Sequence, residues 1–338
     1  MSAALRRART RLKRALLARG VQVERLSETD RRYLTALVDD SVPLPSSAAE
    51  LRSDAPRLLE LRAAYAEVDP AVRVHSRWTD EGFSTWLDLA HFRGDNAYVW
   101  QYRESRRVTE LKYLVYLQDV SARDRTGLLE RLGEDGAFGC WTFDFEGFPP
   151  CSRDLLDSVS ELLFLDAELG VLAGSRPRVL DIGAGYGRMA HRFVSAVEAT
   201  VDYCCVDAIA ESTFLSEYYV RHRKVAPPAR VVPLTEVASL EPGAFDLAMN
   251  IHSWSECTLD AITWWVDLLV HLQVPTLFIV PNEDEGFASL EVDGRRLDYL
   301  PVLERAGYGL TRDVPAFSPA VRSALQMRDR YCLFERTG

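Results

Sequence analysis

The sequence predicts an α/β protein, with a mainly helical N-terminal region followed by a parallel sheet with intervening helices. Three observations carry this. From Pro177 onward, short apolar runs alternate with stretches of helical length; the run at 178–182 ends in an acid and opens into glycines at 183, 185 and 187; and residues 1 to about 172 are punctuated as helices. The runs at 179–182, 203–206, 230–233, 245–249 and 276–280 are short and nearly continuously apolar, as strands buried on both faces must be. Helices are expected between several of them, at 189–197, 211–222 and 259–272. The tail adds a helix at 300–306 and strands at 308–313 and 331–334. In the first half, helices are expected at 28–37, 48–68 with an interruption at Pro56, 96–117, 124–132 and 155–172, the last capped by Ser152. Residues 141–145 alternate and carry aromatics, which suits a short strand or extended loop before Pro149 and Pro150.

Composition narrows the function classes. With 338 residues, 47% hydrophobic and 27% charged, the chain exceeds one ordinary core and is too apolar for disorder. Its longest apolar stretch, 264–280, is broken by Asp267, His271 and Gln273, short of the roughly 18 to 20 residues that span a bilayer. The 50 acidic residues outnumber the 40 basic ones, for a net charge of −10, so nucleic acid is a poor partner for the body of the protein. Residues 1–25 are the exception, with eight Lys or Arg against Glu24 alone. There Leu5, Leu12, Leu16 and Leu17 recur at roughly helical spacing among arginines, which argues against a secretory signal core; an organellar transit segment or a membrane-surface helix also fits, and a solvated helix laying its leucines on the body is the commonest case. The six cysteines form no CxxC pair, and Cys204 and Cys205 lie in an apolar run. A reduced, cytoplasmic protein without a structural metal site is expected. Self-association into a homo-oligomer is compatible with this reading.

The informative segment runs from Arg178 to Arg188: a buried strand ending in Asp181-Ile182, then Gly183-Ala184-Gly185-Tyr186-Gly187 opening a helix. Glycines there remove Cβ atoms from the path of a ligand, and the helix N-terminus that follows favours a negative group. A nucleotide-like ligand is expected over the strand's carboxyl end, with Asp207, closing the next strand, accepting ribose hydroxyls. Read from Gly183, the dinucleotide fingerprint requires glycine at 188, where this chain has Arg188, so an NAD-dependent dehydrogenase is disfavoured.

His252 is the best candidate general base, because it follows the fourth predicted strand at the sheet's carboxyl edge. Glu256, four residues on, would share its face in a helix and orient the imidazole or bind a hydroxyl. His75, His91 and His222 are weaker alternatives. Arg93, Tyr98 and Gln101 fall in a polar and aromatic segment that suits a lid touching cofactor or acceptor, with Trp100, Tyr102 and Tyr113 read as core or stacking aromatics.

The pattern Asp181-x-Gly183-x-Gly185-x-Gly187 resembles motif I of the class I S-adenosylmethionine (SAM)-dependent methyltransferases. That resemblance implies a Rossmann-like class I methyltransferase sheet at 173–338, a helical lid and acceptor region at 1–172, and SAM as cofactor. It implies that Asp181, Gly183, Ala184 and Gly185 line the methionine part and Asp207 the ribose, with Ala208 and Asn250 completing the contacts, Leu234 and backbone facing the adenine, and Arg153 within reach of the carboxylate. Three segments are similar to a narrower family, the sugar O-methyltransferases: Phe92-Arg-Gly-Asp-Asn-Ala-Tyr-Val-Trp-Gln101, Ser152-Arg-Asp-Leu-Leu-Asp-Ser-Val-Ser-Glu161 and Asn250-Ile-His-Ser-Trp-Ser-Glu256. They imply methylation of a hydroxyl on a sugar or glycosylated small molecule. Methyl transfer to a non-sugar molecule and a non-catalytic SAM-binding subunit are the remaining alternatives.

Overall fold

The computed structural model describes residues 11–16, 18–20, 27–79, 87–102, 104–173, 176–197 and 200–337. Most of the expected basic N-terminal helix, with Leu5 and Leu17, lies outside them. The chain forms two compact units, Met1–Ala36 with Tyr102–Thr109, and Leu37–Gln101 with Glu110–Gly338. The first contains the helix Glu28–Thr35. Its buried Tyr33 donates its hydroxyl to the Tyr102 carbonyl at 2.6 Å.

The second unit is built on a seven-stranded sheet: β1 (Arg178–Ile182), β2 (Asp202–Val206), β3 (Ala229–Val231), β4 (Leu247–Ile251), β5 (Thr276–Val280), β6 (Tyr308–Pro315) and β7 (Arg330–Arg336), in the order β3-β2-β1-β4-β5-β7-β6. The first five strands are parallel, and β7 is antiparallel to both β5 and β6. This is the expected Rossmann-like sheet of the class I methyltransferase kind. Leu180, Cys204, Ala248 and Ile279 are fully buried, because crossover helices cover both faces of the parallel part. The chain runs outward from β1 to β2 and β3, then returns to place β4 on the other side of β1. That reversal leaves a crevice at the carboxyl ends of β1 and β4.

Residues on both sides of the expected boundary at 172 and 173 belong to the second unit. The helix Pro56–Tyr65 packs on Ala210–His222, which follows β2: Arg62 pairs with Glu211 at 2.6 Å, and the Tyr65 hydroxyl meets Thr213 at 2.8 Å. The helix Arg153–Leu169, capped as expected by Ser152 accepting the Leu155 N–H, is tied to the helix Arg188–Ala196 that leaves the glycine loop.

That tie is a buried charge network. Asp154 accepts from Arg93 at 3.1 Å and from Arg192 at 2.8 Å, and both arginines also reach Glu134, at 2.8 and 3.0 Å. None of the four side chains is more than 2% exposed. Burial raises the cost of ionising Asp154, but the two guanidinium groups outweigh it and hold the carboxyl well below its ordinary pKa. The Tyr186 hydroxyl donates to the same carboxylate, so the network fixes the glycine loop from behind.

Several local expectations shift. The helix expected at 96–117 is Arg106–Arg123, because the Asn96 side chain accepts the Tyr98 and Val99 N–H groups and holds a turn there. The stretch 48–68 resolves into a short 3₁₀ turn, Ser46–Glu50, and the helix that begins at Pro56, a residue suited to a first helical turn. Strand β4 runs two residues beyond its expected end, carrying Asn250 and Ile251 into the sheet. The segment 141–145 contributes one bridge, Phe143 to Cys151. All six cysteines are free thiols. Among the described residues no helix is long and apolar enough to cross a membrane.

Candidate active site

A cavity of about 1000 Å³, counting its open mouth, lies at the carboxyl ends of β1, β2 and β4. Of the residues expected in a site, Asp181, Gly183, Ala184, Gly185, Asp207 and Ala208 line it, as do Tyr98, His252 and Glu256. The adjacency of β1 to both β2 and β4 produces this convergence, since Asp181 pairs in register with Cys205 on one side and Met249 on the other.

The glycine loop is shaped by contact as much as by dihedral angle. Gly183 has φ of 74°, and a Cβ there would lie 2.2 Å from the Ser253 hydroxyl. At Gly185, φ 57°, a Cβ would come 3.1 Å from the Tyr98 ring. Three of the loop's N–H groups are spent within the protein. Those of Gly183 and Ala184 are donated to the Val206 carbonyl, at 2.9 and 3.3 Å, and that of Gly185 to Asp207 at 2.9 Å. The loop therefore serves close approach rather than an array of donors.

Asp207 also accepts the Ile209 N–H at 2.8 Å, so each of its oxygens already holds one backbone donor and keeps a further lone pair. Burial nonetheless pushes its pKa up to about 7, against these bonds. Asp181 accepts from the Tyr203 hydroxyl at 2.8 Å and is pushed up to about 6 by burial. Among the described residues neither carboxylate forms an ion pair, although Arg188 pulls the Asp181 pKa down against burial. Arg188, which lines the same cavity in place of the fingerprint glycine, is engaged bidentately by Glu161 at 2.8 and 3.0 Å.

His252 follows β4 in the left-handed region, φ 65°, with its N–H donated to the Val280 carbonyl at 2.8 Å. Its Nδ1 is buried and has no hydrogen-bond partner among the described residues. The expected bond from Glu256 to this ring is not formed. The Glu256 carboxylate instead accepts the Trp78 indole N–H at 2.8 Å and pairs with Arg77 at 3.1 Å. Burial raises its pKa, while Arg77 and Trp78 pull the other way.

Five expected site residues do not line the cavity. Arg93 is fully buried in the charge network. Gln101 is buried too, its side-chain carbonyl accepting the Tyr113 hydroxyl. Asn250 spends its amide on the Ile182 carbonyl at 2.9 Å and Ser253 at 2.6 Å and accepts the Trp254 N–H, so it shapes the loop behind the cavity. Leu234 gives its N–H to the Tyr65 hydroxyl, and Arg153 stacks 4.6 Å over Trp100 and pairs with Asp157. Of the alternative histidines, His75 lines the cavity, whereas His91 pairs with Asp88 and His222 stacks on Tyr218. Trp78, Ser212 and Trp265 line it as well, and sequence reasoning missed them.

Fold and site together define a Rossmann-like α/β protein of the class I methyltransferase architecture, with a carboxylate-lined cleft at the strand reversal. No protein-family profile matches the chain, and no curated protein matches it by sequence. Solved structures similar to it include a SAM-dependent methyltransferase from Aquifex aeolicus, at 16% identity over 64% of this chain and 96% of that one, TM-score 0.39. Another is the 1,6-didemethyltoxoflavin-N1-methyltransferase of Burkholderia thailandensis with S-adenosylhomocysteine, at 19% identity over 69% and 88%, TM-score 0.38. A third is magnesium protoporphyrin IX methyltransferase from Synechocystis PCC 6803, at 15% over 67% and 97%, TM-score 0.39.

Proposed function

We propose that this chain is a SAM-dependent O-methyltransferase whose acceptor is a hydroxyl of a sugar or glycosylated small molecule. The observation that carries the reading is one cavity joining two buried carboxylates at the ends of β1 and β2, without an ion pair among the described residues, to an imidazole after β4 whose Nδ1 has no partner among those residues. The residues fit the cofactor. Asp207 keeps lone pairs for two ribose hydroxyls, Asp181 and the glycine loop suit the cationic methionine end, and Gly185 leaves space that a Cβ would fill against Tyr98. When bound, SAM supplies an activated methyl group.

The chain's own residues then have two tasks. The cavity walls hold the acceptor oxygen in line, which supplies roughly 7 to 11 kcal/mol in well-oriented reactions. His252 accepts the hydroxyl proton at a ring nitrogen, a contribution of about 10² to 10⁴ in rate. Trp78 and Tyr98, with ring centroids 5.0 Å apart, offer apolar faces to a sugar ring. A dehydrogenase is a poorer reading, because Arg188 is committed to Glu161 and the final strands are antiparallel.

The test is calorimetric binding of S-adenosylhomocysteine, followed by mass spectrometry of glycosides incubated with SAM. A product heavier by one methylene is expected. His252→Ala should retain cofactor affinity and lose about 10² to 10⁴ in turnover; full turnover would remove His252 from the mechanism. Cofactor binding without transfer to any glycoside would favour a binding subunit or a non-sugar acceptor.

A further inference from the structure

Glu256 is surrounded by one short segment of the N-terminal half. Its carboxylate takes the Trp78 indole N–H and the Arg77 guanidinium, and its main-chain carbonyl accepts the Ser76 hydroxyl at 2.7 Å. Three consecutive residues thus dock on a single residue, 178 to 180 positions away in sequence. The segment 75–78 faces the cavity at its two ends. His75 and Trp78 both line it, and Trp78 packs on Tyr98, whose hydroxyl meets Ser212 at 2.9 Å. The imidazole of His75 is pushed down to about 4 by burial, which keeps it uncharged at neutral pH.

We propose that Glu256 is a positioning residue, a clamp that fastens residues 75–78 to the turn after β4 so that His75 and Trp78 form the acceptor wall of the pocket. Among the described residues it makes no hydrogen bond to His252; each of its carboxylate oxygens holds one donor from the segment. A neutral imidazole and an indole face suit an uncharged, polyhydroxylated acceptor, since the ring nitrogens give one donor and one acceptor and the indole gives an apolar surface. The assignment of that wall to an acceptor rests on the methyltransferase reading; the clamp itself does not.

The experiment uses the full chain with S-adenosylhomocysteine as the cofactor probe. The Trp78 indole ¹H–¹⁵N resonance, assigned through Trp78→Phe, should move toward the free-indole position in Glu256→Ala, and amide exchange over 75–78 should accelerate roughly tenfold or more. Glu256→Gln, whose amide carbonyl can still accept from the indole, should restore most of the protection. Trp78→Phe combined with Glu256→Ala should exchange no faster than Glu256→Ala alone. Affinity for S-adenosylhomocysteine should change less than about threefold across the series. An unmoved resonance with unchanged exchange in Glu256→Ala would overturn the clamp, as would a parallel loss of cofactor affinity. Should Glu256→Ala not fold, Trp78→Phe, which removes the indole donor, carries the amide-exchange readout over the segment. Wild-type protein that fails to bind S-adenosylhomocysteine would sink the methyltransferase reading while leaving the clamp measurable.

Discussion

Two groups of buried carboxylates in this protein have the same chemistry and opposite electrostatics. Asp154 and Glu134, behind the glycine loop, share Arg93 and Arg192 and are held below their ordinary pKa values against the cost of burial. Asp181 and Asp207, on the cavity side of the same loop, are also buried but form no ion pair among the described residues, and burial drives them up to about 6 and about 7. The first group is complete within the chain and fastens it. The second holds only hydrogen-bond donors, which is what the proposed site for a cationic, hydroxyl-bearing ligand requires. Burial of an acid therefore says little here until its partners are known.

The contrast can be broken by substitution. Asp154→Ala leaves two buried arginines with one shared carboxylate, Glu134, in place of two, and unfolding free energy should fall by about 3 to 5 kcal/mol; a denaturant melt showing under 1 kcal/mol of loss would end the claim that the network fastens the loop. Asp207→Ala should weaken S-adenosylhomocysteine binding by about tenfold to a hundredfold, or roughly 1.4 to 2.8 kcal/mol. The melting temperature of this variant's ligand-free form should stay level or rise, and a fall as large as that of Asp154→Ala would erase the difference between the groups.

The pH dependence sharpens the same point. A carboxyl whose folded pKa lies above its unfolded one stabilises the fold below the unfolded value and loses that contribution as pH rises through the folded one. Asp207 and Asp181 should therefore make the ligand-free protein less stable as pH rises from about 4 toward 7, and Asp207→Asn should flatten that slope. Asp154 and Glu134 act in the reverse sense, losing their contribution only as pH falls through their lowered values. The smallest effect is expected at the surface: Arg312→Ala, which breaks an exposed pair with Glu168, should leave the melting curve unchanged.

What could be read from the sequence follows the same division. The glycine loop, Asp181 and Asp207 belong to strands and turns whose signals are local, and the cavity gathers them as expected. Arg93, Gln101 and Asn250 carry polar groups equally suited to ligands, but their partners come from distant segments and consume them. Arg93 finds Glu134 and Asp154, which no spacing rule connects to it. The helix expected from 96 begins only at Arg106, because one asparagine side chain captured the backbone first.

The sequence by itself determined the α/β alternation, the place of the glycine turn and the acids closing β1 and β2, because apolar period and glycine stereochemistry act over a few residues. Only the tertiary structure decided which polar side chains remain available. Whether Glu256 meets His252 or Trp78, and whether His75 reaches the cavity, depends on how segments some 180 residues apart are packed, and a hydrogen bond once made inside the protein removes its atoms from the site.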